Sequence, residues 1–246
     1  LHFLCKFGLS MAAKQNTNFP LIANKSPWAS LCLLLCLVTL GAFLGQRIAS
    51  VLYLTSTGNT GEAGYPTFTS RQSLLVLQAA VAGGAFILGP LLYLQVFVPE
   101  GISKLFQWRK SYTTPTLITL GLVLSFMVIN TWFIQWNMTI KLPIWLKTFE
   151  IWAQEKEVAL QRITKLLTSF RSMKELGVAI GVMGVIPAIG EELLFRGLVQ
   201  AIFHQLTKNI HLAIGISALA FSAIHLQFYG FIPRFLLGML FGYIYQ

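Results

Sequence analysis

Long apolar runs alternate with short polar and basic segments along most of the chain. A helix that crosses a bilayer needs about 20 consecutive, mostly apolar residues. The runs that approach or exceed this length are Leu31–Leu54, Leu74–Val98, Thr116–Trp136, Leu176–Phe203, Ile210–Phe228 and Phe231–Gln246. The pattern therefore predicts an all-α, polytopic transmembrane bundle with about six spans.

The two ends of the sequence predict a piece of a longer protein. The chain starts on Leu1, and Met11 is its first methionine. The last apolar run stops at Gln246 without a polar flank. We therefore expect a fragment that is truncated at the C-terminus.

The connection between the third and fourth runs has a helical period. Phe149, Trp152, Ile163 and Phe170 belong to a set of apolar residues with a helical spacing, and charged residues fill the other face. This predicts an amphipathic helix that either lies in the membrane interface or packs on the bundle as a strut. We divide the chain after this connection, into 1–175 (tail, three spans and amphipathic helix) and 176–246.

Composition and charge support a membrane protein. Hydrophobic residues make up 55% of the chain and charged residues only 11%, well below the quarter or so that is usual in soluble domains. The net charge of +10 comes from bases between the apolar runs, where they set topology and meet anionic lipid headgroups rather than nucleic acid. Because the segment 137–175 alone holds seven bases, the orientation of the bundle stays open.

Small residues predict where helices approach each other closely. Glycines four residues apart favour close packing of membrane helices. The pairs are Gly41 and Gly45, Gly177 and Gly181, and Gly238 and Gly242. The three cysteines, Cys5, Cys32 and Cys36, give no disulfide framework.

Two adjacent acids stand inside the fourth apolar run. All eight carboxylates of the chain are glutamates, and only Glu191 and Glu192 lie well within a predicted span. A charge near the bilayer centre costs about 2.5 to 3.5 kcal/mol, so these acids and Arg196 indicate a functional site in a hydrated interior. A buried ion network that joins two helices is an equally open interpretation.

Helix geometry suggests different roles for the two acids. In an α-helix, Glu192 and Arg196 have the favourable four-residue spacing of an ion pair. Glu191 points about 100° away and stays available to accept a proton from water. Pro187 removes a backbone donor and predicts a kink beside the acids.

A histidine in the fifth run is the second candidate. In "FSAIHLQF", Phe221 and His225 share one face of the predicted helix. Histidine can act as a base, a donor or a metal ligand near neutral pH, although a lone histidine can also be a packing residue. His204 and His211 flank a short turn, and we interpret both as interfacial.

These residues resemble the CPBP intramembrane metalloprotease family, also called the Abi or CAAX-protease and bacteriocin-processing family. Its eukaryotic relatives are the type II CAAX prenyl endopeptidases. The family pattern has EExxxR in one membrane helix, FxxxH in a second and HxxxN or a similar motif in a third. Here "EELLFR" covers Glu191–Arg196 and "FSAIH" covers Phe221–His225, and the resemblance extends over 176–246.

The resemblance implies roles for four residues. Glu191 would activate a water together with His225, Glu192 would stand beside the base, and Arg196 would support it. No histidine follows His225, so the third motif is absent from this sequence; truncation is the simpler explanation and an inactive member the other. Zinc is a candidate cofactor, but the glutamates and the histidine lack the compact HExxH spacing that makes a zinc assignment strong.

The sequence thus predicts an endopeptidase that hydrolyses membrane-associated or leader-type peptides in a bacterial inner membrane. Its expected partners are a peptide or protein substrate and membrane lipid, without nucleic acid. The main alternative is a noncatalytic immunity or regulatory protein on the same scaffold. A solute transporter that uses the glutamates as a proton relay is disfavoured, because the sequence shows no inverted repeat of broken helices.

Overall fold

A computed structural model describes residues 26–58, 68–98, 113–139 and 143–246. All the regular secondary structure in these ranges is helical, as predicted. The helices are α1 (Pro27–Thr57), α2 (Arg71–Phe97), α3 (Thr113–Thr139), α4 (Lys147–Leu167), α5 (Met173–Thr207), α6 (Ile210–Ala223) and α7 (Phe231–Ile244). The cysteine Cys5 and the start of the chain lie outside the described residues.

Among the described residues, four helices are long and apolar enough to cross a membrane. They are α1, α2, the segment Leu117–Asn137 of α3, and α5, and they correspond to the first four predicted spans. α6 and α7 are apolar but have 14 residues each. The chain is therefore an integral membrane protein built of helices.

The predicted extent of the fifth span was wrong. It was expected to continue to Phe228, but α6 ends at Ala223 and the next helix begins at Phe231. Leu226 has a φ of 51°, in the left-handed region. That conformation costs an L-residue about 1–2 kcal/mol and cannot continue a right-handed helix. The segment 224–230 is therefore a turn between two short helices.

The chain divides into two compact units. One, the first unit, combines Pro20–Ile102 with Thr164–Leu194 and holds α1, α2 and the start of α5. The other, the second unit, combines the described residues of Ser103–Ile163 with Phe195–Gln246 and holds α3, most of α4, the end of α5, α6 and α7. The boundary proposed from the motifs, after residue 175, stays a prediction.

Glycines bring α1 and α2 of the first unit into backbone contact. A Cβ atom added to Gly41 would overlap the carbonyl oxygen of Gly84, and one added to Gly45 would overlap that of Ala80. The predicted close approach at Gly41 and Gly45 is confirmed. At Gly177 and Gly181 the prediction was wrong, because no described atom lies within 4 Å of an added Cβ.

Prolines account for widened helical turns in α2 and α5. The residues Gly83–Leu88 and Ile180–Val185 form π-helical turns, and each is followed by a proline, Pro90 or Pro187. A proline lacks the N–H donor and its ring crowds the carbonyl four residues earlier. The i→i+5 hydrogen bonds of a π-turn accommodate that defect without breaking the helix.

Buried polar side chains join the helices of the second unit. Ser217 of α6 donates to the carbonyl oxygen of Phe195 in α5 at 3.0 Å, and Ser222 donates to that of Phe231 in α7 at 2.7 Å. Gln200 of α5 donates to the carbonyl oxygen of Gly242 at 3.3 Å. Each bond satisfies a backbone oxygen where water is scarce. The close approach predicted at Gly238 and Gly242 is also confirmed, since an added Cβ would lie 3.1 Å from that of Ala218 and 2.7 Å from Ile214 Cγ2, respectively.

Candidate functional site

The two candidate acids lie where α2 and α5 pack in the first unit. Glu191 ends the short α-helical stretch Ile186–Glu191, Glu192 begins the next π-helical stretch, and both side chains are partly buried. Gly190 directly precedes them, and a Cβ there would lie 2.6 Å from Phe86 Cβ and 3.1 Å from the Phe86 carbonyl oxygen. Glycine at position 190 therefore lets α2 approach the backbone beside the acids.

The α-helical geometry assumed for the motif was wrong. Glu192–Val199 is π-helical, with i→i+5 hydrogen bonds, so the angular spacing of an α-helix does not apply to it. π-Helical turns flank the short α-helical stretch that contains Pro187, and the kink predicted there stays a prediction. π-Turns are frequent at functional sites, because they redirect side chains within a continuous helix. The ion pair between Glu192 and Arg196 stays a prediction.

Arg196 is enclosed by aromatic rings in the second unit. Its side chain is 3% exposed. The guanidinium carbon lies 4.7 Å from the ring centre of Phe221 in α6 and 5.5 Å from that of Phe241 in α7. A desolvated cation–π contact can contribute about 2 kcal/mol. Arg196 thus holds α5 to both following helices, in addition to any role in chemistry.

His225 lies just beyond α6 rather than within a helix, which corrects the sequence-based placement. Its Nδ1 atom is 2.8 Å from the carbonyl oxygen of Phe221. A carbonyl oxygen can only accept, so Nδ1 carries the proton and the neutral ring has its lone pair on Nε2. The Phe221 and His225 rings are 5.1 Å apart, edge to face. The two residues are therefore in contact, although not as neighbours on one helical face, and the tautomer suits a proton acceptor at Nε2.

The segment after His225 contains polar residues that were not predicted to belong to the site. Arg234 of α7 donates to the side-chain oxygen of Gln227, and its charge acts on the His225 imidazole. Asn137 of α3 donates to the carbonyl oxygens of Phe228 and Tyr229. The sequence carried a signal for Arg234, since a cation inside an apolar run is a candidate functional residue. It carried no such signal for Asn137, which follows the predicted run Thr116–Trp136.

The described contacts bring only part of the predicted site together. In the second unit, Phe221 contacts both Arg196 and His225, so the two motifs meet at one aromatic ring. Glu191 and Glu192 belong to the first unit. The convergence of Glu191 and His225 around one water stays a prediction.

The described residues do not form a metal-binding cluster. No group of three or more histidine, cysteine, aspartate or glutamate side chains within them could hold a metal ion. Zinc sites in proteins use at least three such ligands. The residues present therefore do not fit a zinc ion, and we derive no step through one.

Comparison with known protein families gives a match in the C-terminal part of the chain. Residues 174–246 match the family model described as type II CAAX prenyl endopeptidase Rce1-like. No curated protein and no solved structure matches the chain. The match confirms the resemblance that the EExxxR and FxxxH motifs predicted, over the segment that carries them. The matched family is one of prenyl endopeptidases.

Proposed function

We propose that the protein is an intramembrane endopeptidase. The premise is that residues 174–246 belong to the type II CAAX prenyl endopeptidase family. The observation that carries the proposal is this match, because the matched segment contains all four candidate residues, Glu191, Glu192, Arg196 and His225. The Nδ1–H bond of His225 supports it, since that bond directs the basic nitrogen away from the helix end.

The proposed chemistry is hydrolysis of a peptide bond by an activated water. The Glu191 carboxylate takes a proton from the water, and the hydroxide attacks the scissile carbonyl carbon. Nε2 of His225 accepts a hydrogen bond from the same water and orients it. The tetrahedral intermediate then expels the amine, which takes the proton from Glu191, so that a carboxylic acid and an amine are the products. The acid then passes its own proton to the amine or to solvent and becomes a carboxylate.

The substrate class follows from the location of the site. The matched segment begins in α5, a helix that is apolar and long enough to cross a bilayer. Peptides that are themselves membrane-associated, such as leader-type peptides, would reach such a site by lateral diffusion. We propose a bacterial inner membrane as the location.

A noncatalytic immunity or regulatory protein on the same scaffold is the second candidate. Two contacts favour this second function. Arg196 packs on Phe221 and Phe241, and His225 is hydrogen-bonded to Phe221, so Arg196 and His225 each have a structural role. Such a protein would bind a peptide and leave it intact.

Hydrolysis in isotopically labelled water separates the two functions. We expect the purified protein in liposomes to cleave a subset of a membrane-anchored peptide library. In H2¹⁸O the new C-terminal carboxylate should gain ¹⁸O, since the attacking oxygen comes from water. Mass spectrometry of the recovered peptides measures both. Recovery of bound but uncleaved peptides would instead favour the binding protein.

We further propose that α4 contacts anionic lipid headgroups. Ile144 and Trp145, just before the helix, are 91% and 77% exposed, and Trp152 and Ile163 on the helix are also exposed. The exposed cations Lys156 and Arg162 lie on the same helix. Exposed aromatic and aliphatic residues beside cations are typical of a helix in the membrane interface.

Lipids with brominated acyl chains test this contact. Brominated phosphatidylglycerol should quench the fluorescence of Trp145 and Trp152 more strongly than brominated phosphatidylcholine. Replacing Lys156 or Arg162 by Gln should weaken the preference for the anionic lipid about fivefold per base, because each base contributes about 1 kcal/mol near an anionic surface. Glu155→Gln on the same helix is the control. Equal quenching by both lipids in the unchanged protein would contradict the proposal.

A further inference from the structure

The turn that carries His225 must satisfy its own backbone in an apolar protein. Residues 224–230 form no helix, so most of their carbonyl oxygens have no intrahelical donor. Unsatisfied backbone groups are costly where water is scarce. Leu226, next to His225, is also held in the left-handed conformation. Such a turn keeps one shape only if neighbouring elements fix it.

One side chain from α3 donates to two of the carbonyl oxygens of this turn. The Asn137 amide nitrogen lies 3.2 Å from the carbonyl oxygen of Phe228 and 2.6 Å from that of Tyr229. A side-chain amide has two N–H donors, and two consecutive carbonyl oxygens use both. The residue is 2% exposed, so water does not replace these bonds readily.

Aromatic packing holds the same end of the turn. The Phe149 ring of α4 meets the Phe228 ring edge to face at 5.4 Å. The Phe231 amide also donates to the Phe228 carbonyl oxygen, at 3.1 Å, where α7 begins. The Phe228 carbonyl oxygen thus accepts from both Asn137 and the first residue of α7.

We propose that Asn137 is a positioning residue, which fixes the turn 224–230 and through it the orientation of His225. The proposal rests on the proposed peptidase function. His225 is anchored on one side by its bond to Phe221 in α6, and the chain after it is anchored by Asn137 from α3. With both ends of the turn fixed, the imidazole keeps one orientation toward the reacting water.

Amide hydrogen exchange tests the structural half of the proposal without any substrate. In the full chain, Asn137→Ala should raise the exchange rate of a peptide that spans residues 222–231 about tenfold, because loss of both donors lets the turn open locally. Peptides from α1 should keep their rates. Asn130→Ala, two helical turns earlier in α3, is the matched control and should leave the turn unchanged.

Steady-state kinetics test the functional half. Asn137→Ala should lower kcat about 100-fold and change KM little. A shift of about 1 Å in the His225 imidazole would misorient the water and impair the chemical step rather than binding. Asn137→Asp, which keeps the shape and loses the donors when ionised, should act in the same direction. If Asn137→Ala does not fold, Asn137→Asp provides the test in its place.

The outcomes separate this inference from the proposed function. Unchanged exchange in the turn of either folded variant would overturn the inference, and so would full kcat in a variant whose turn has loosened. A wild-type chain without peptidase activity would contradict the proposed function. The exchange rates would still decide whether Asn137 holds the turn.

Discussion

Glu191→Gln should leave the protein folded and remove its measurable peptide cleavage. Glutamine keeps the size and hydrogen-bonding shape of the side chain but cannot take a proton from water. Loss of a general base lowers rates by about 10²–10⁴, so we expect kcat to fall about 1000-fold or more. Cleavage of a membrane-anchored peptide by the purified protein, together with its thermal unfolding midpoint, measures both effects.

Other charged residues provide comparisons for this result. Glu155→Gln removes a carboxylate from the exposed surface of α4 and should leave turnover unchanged. Arg196→Ala should lose activity mainly through stability, because it removes a guanidinium that packs on Phe221 and Phe241. Retained turnover in Glu191→Gln would show that this carboxylate is not the base, and the role would have to pass to another group.

The long helices could be predicted because membrane insertion depends on local composition. Runs of about 20 apolar residues identify a span without any knowledge of its neighbours. α1, α2, the apolar part of α3, and α5 were found in this way. The end of α6 could not be predicted from composition, since Leu226 is apolar and its left-handed backbone conformation depends on the turn around it.

The motifs identified candidate residues within the matched segment, but the sequence did not predict their geometry. The motif spacing identified Glu191, Arg196 and His225, and the family match covers all of them. The π-helical winding of Glu192–Val199 follows from hydrogen-bond shifts along the helix, which the residue types alone do not specify. An α-helical projection therefore gave the wrong angular relation between the acids and the arginine.

Asn137 shows why a residue with long-range contacts escapes a sequence pattern. It stands near the end of an apolar run, where a polar residue is ordinary. Its importance comes from two carbonyl oxygens about 90 residues later in the chain. Contacts of that separation appear only when the helices are assembled.

A second large effect, on stability, is expected when Gly84→Ala places one methyl group between α1 and α2. Overpacking usually lowers the free energy of unfolding by about 1–3 kcal/mol. We expect the effect of Gly84→Ala to lie toward the upper end of that range. The added Cβ would overlap the Gly41 carbonyl oxygen and lie 2.9 Å from its carbonyl carbon. Backbone atoms cannot rotate away as a side chain does, so the two helices would have to separate.

Gly83→Ala is a matched control for Gly84→Ala, because Gly83 occupies the same π-turn. No described atom lies within 4 Å of a Cβ at Gly83, so alanine there should be neutral or stabilising by up to about 1 kcal/mol through its higher helix propensity. Thermal unfolding in detergent should then shift down for Gly84→Ala and not for Gly83→Ala. Gly41→Ala should add little to Gly84→Ala, since both substitutions force the same separation of α1 from α2. Equal shifts for Gly83→Ala and Gly84→Ala would mean that backbone contact between these helices does not limit stability.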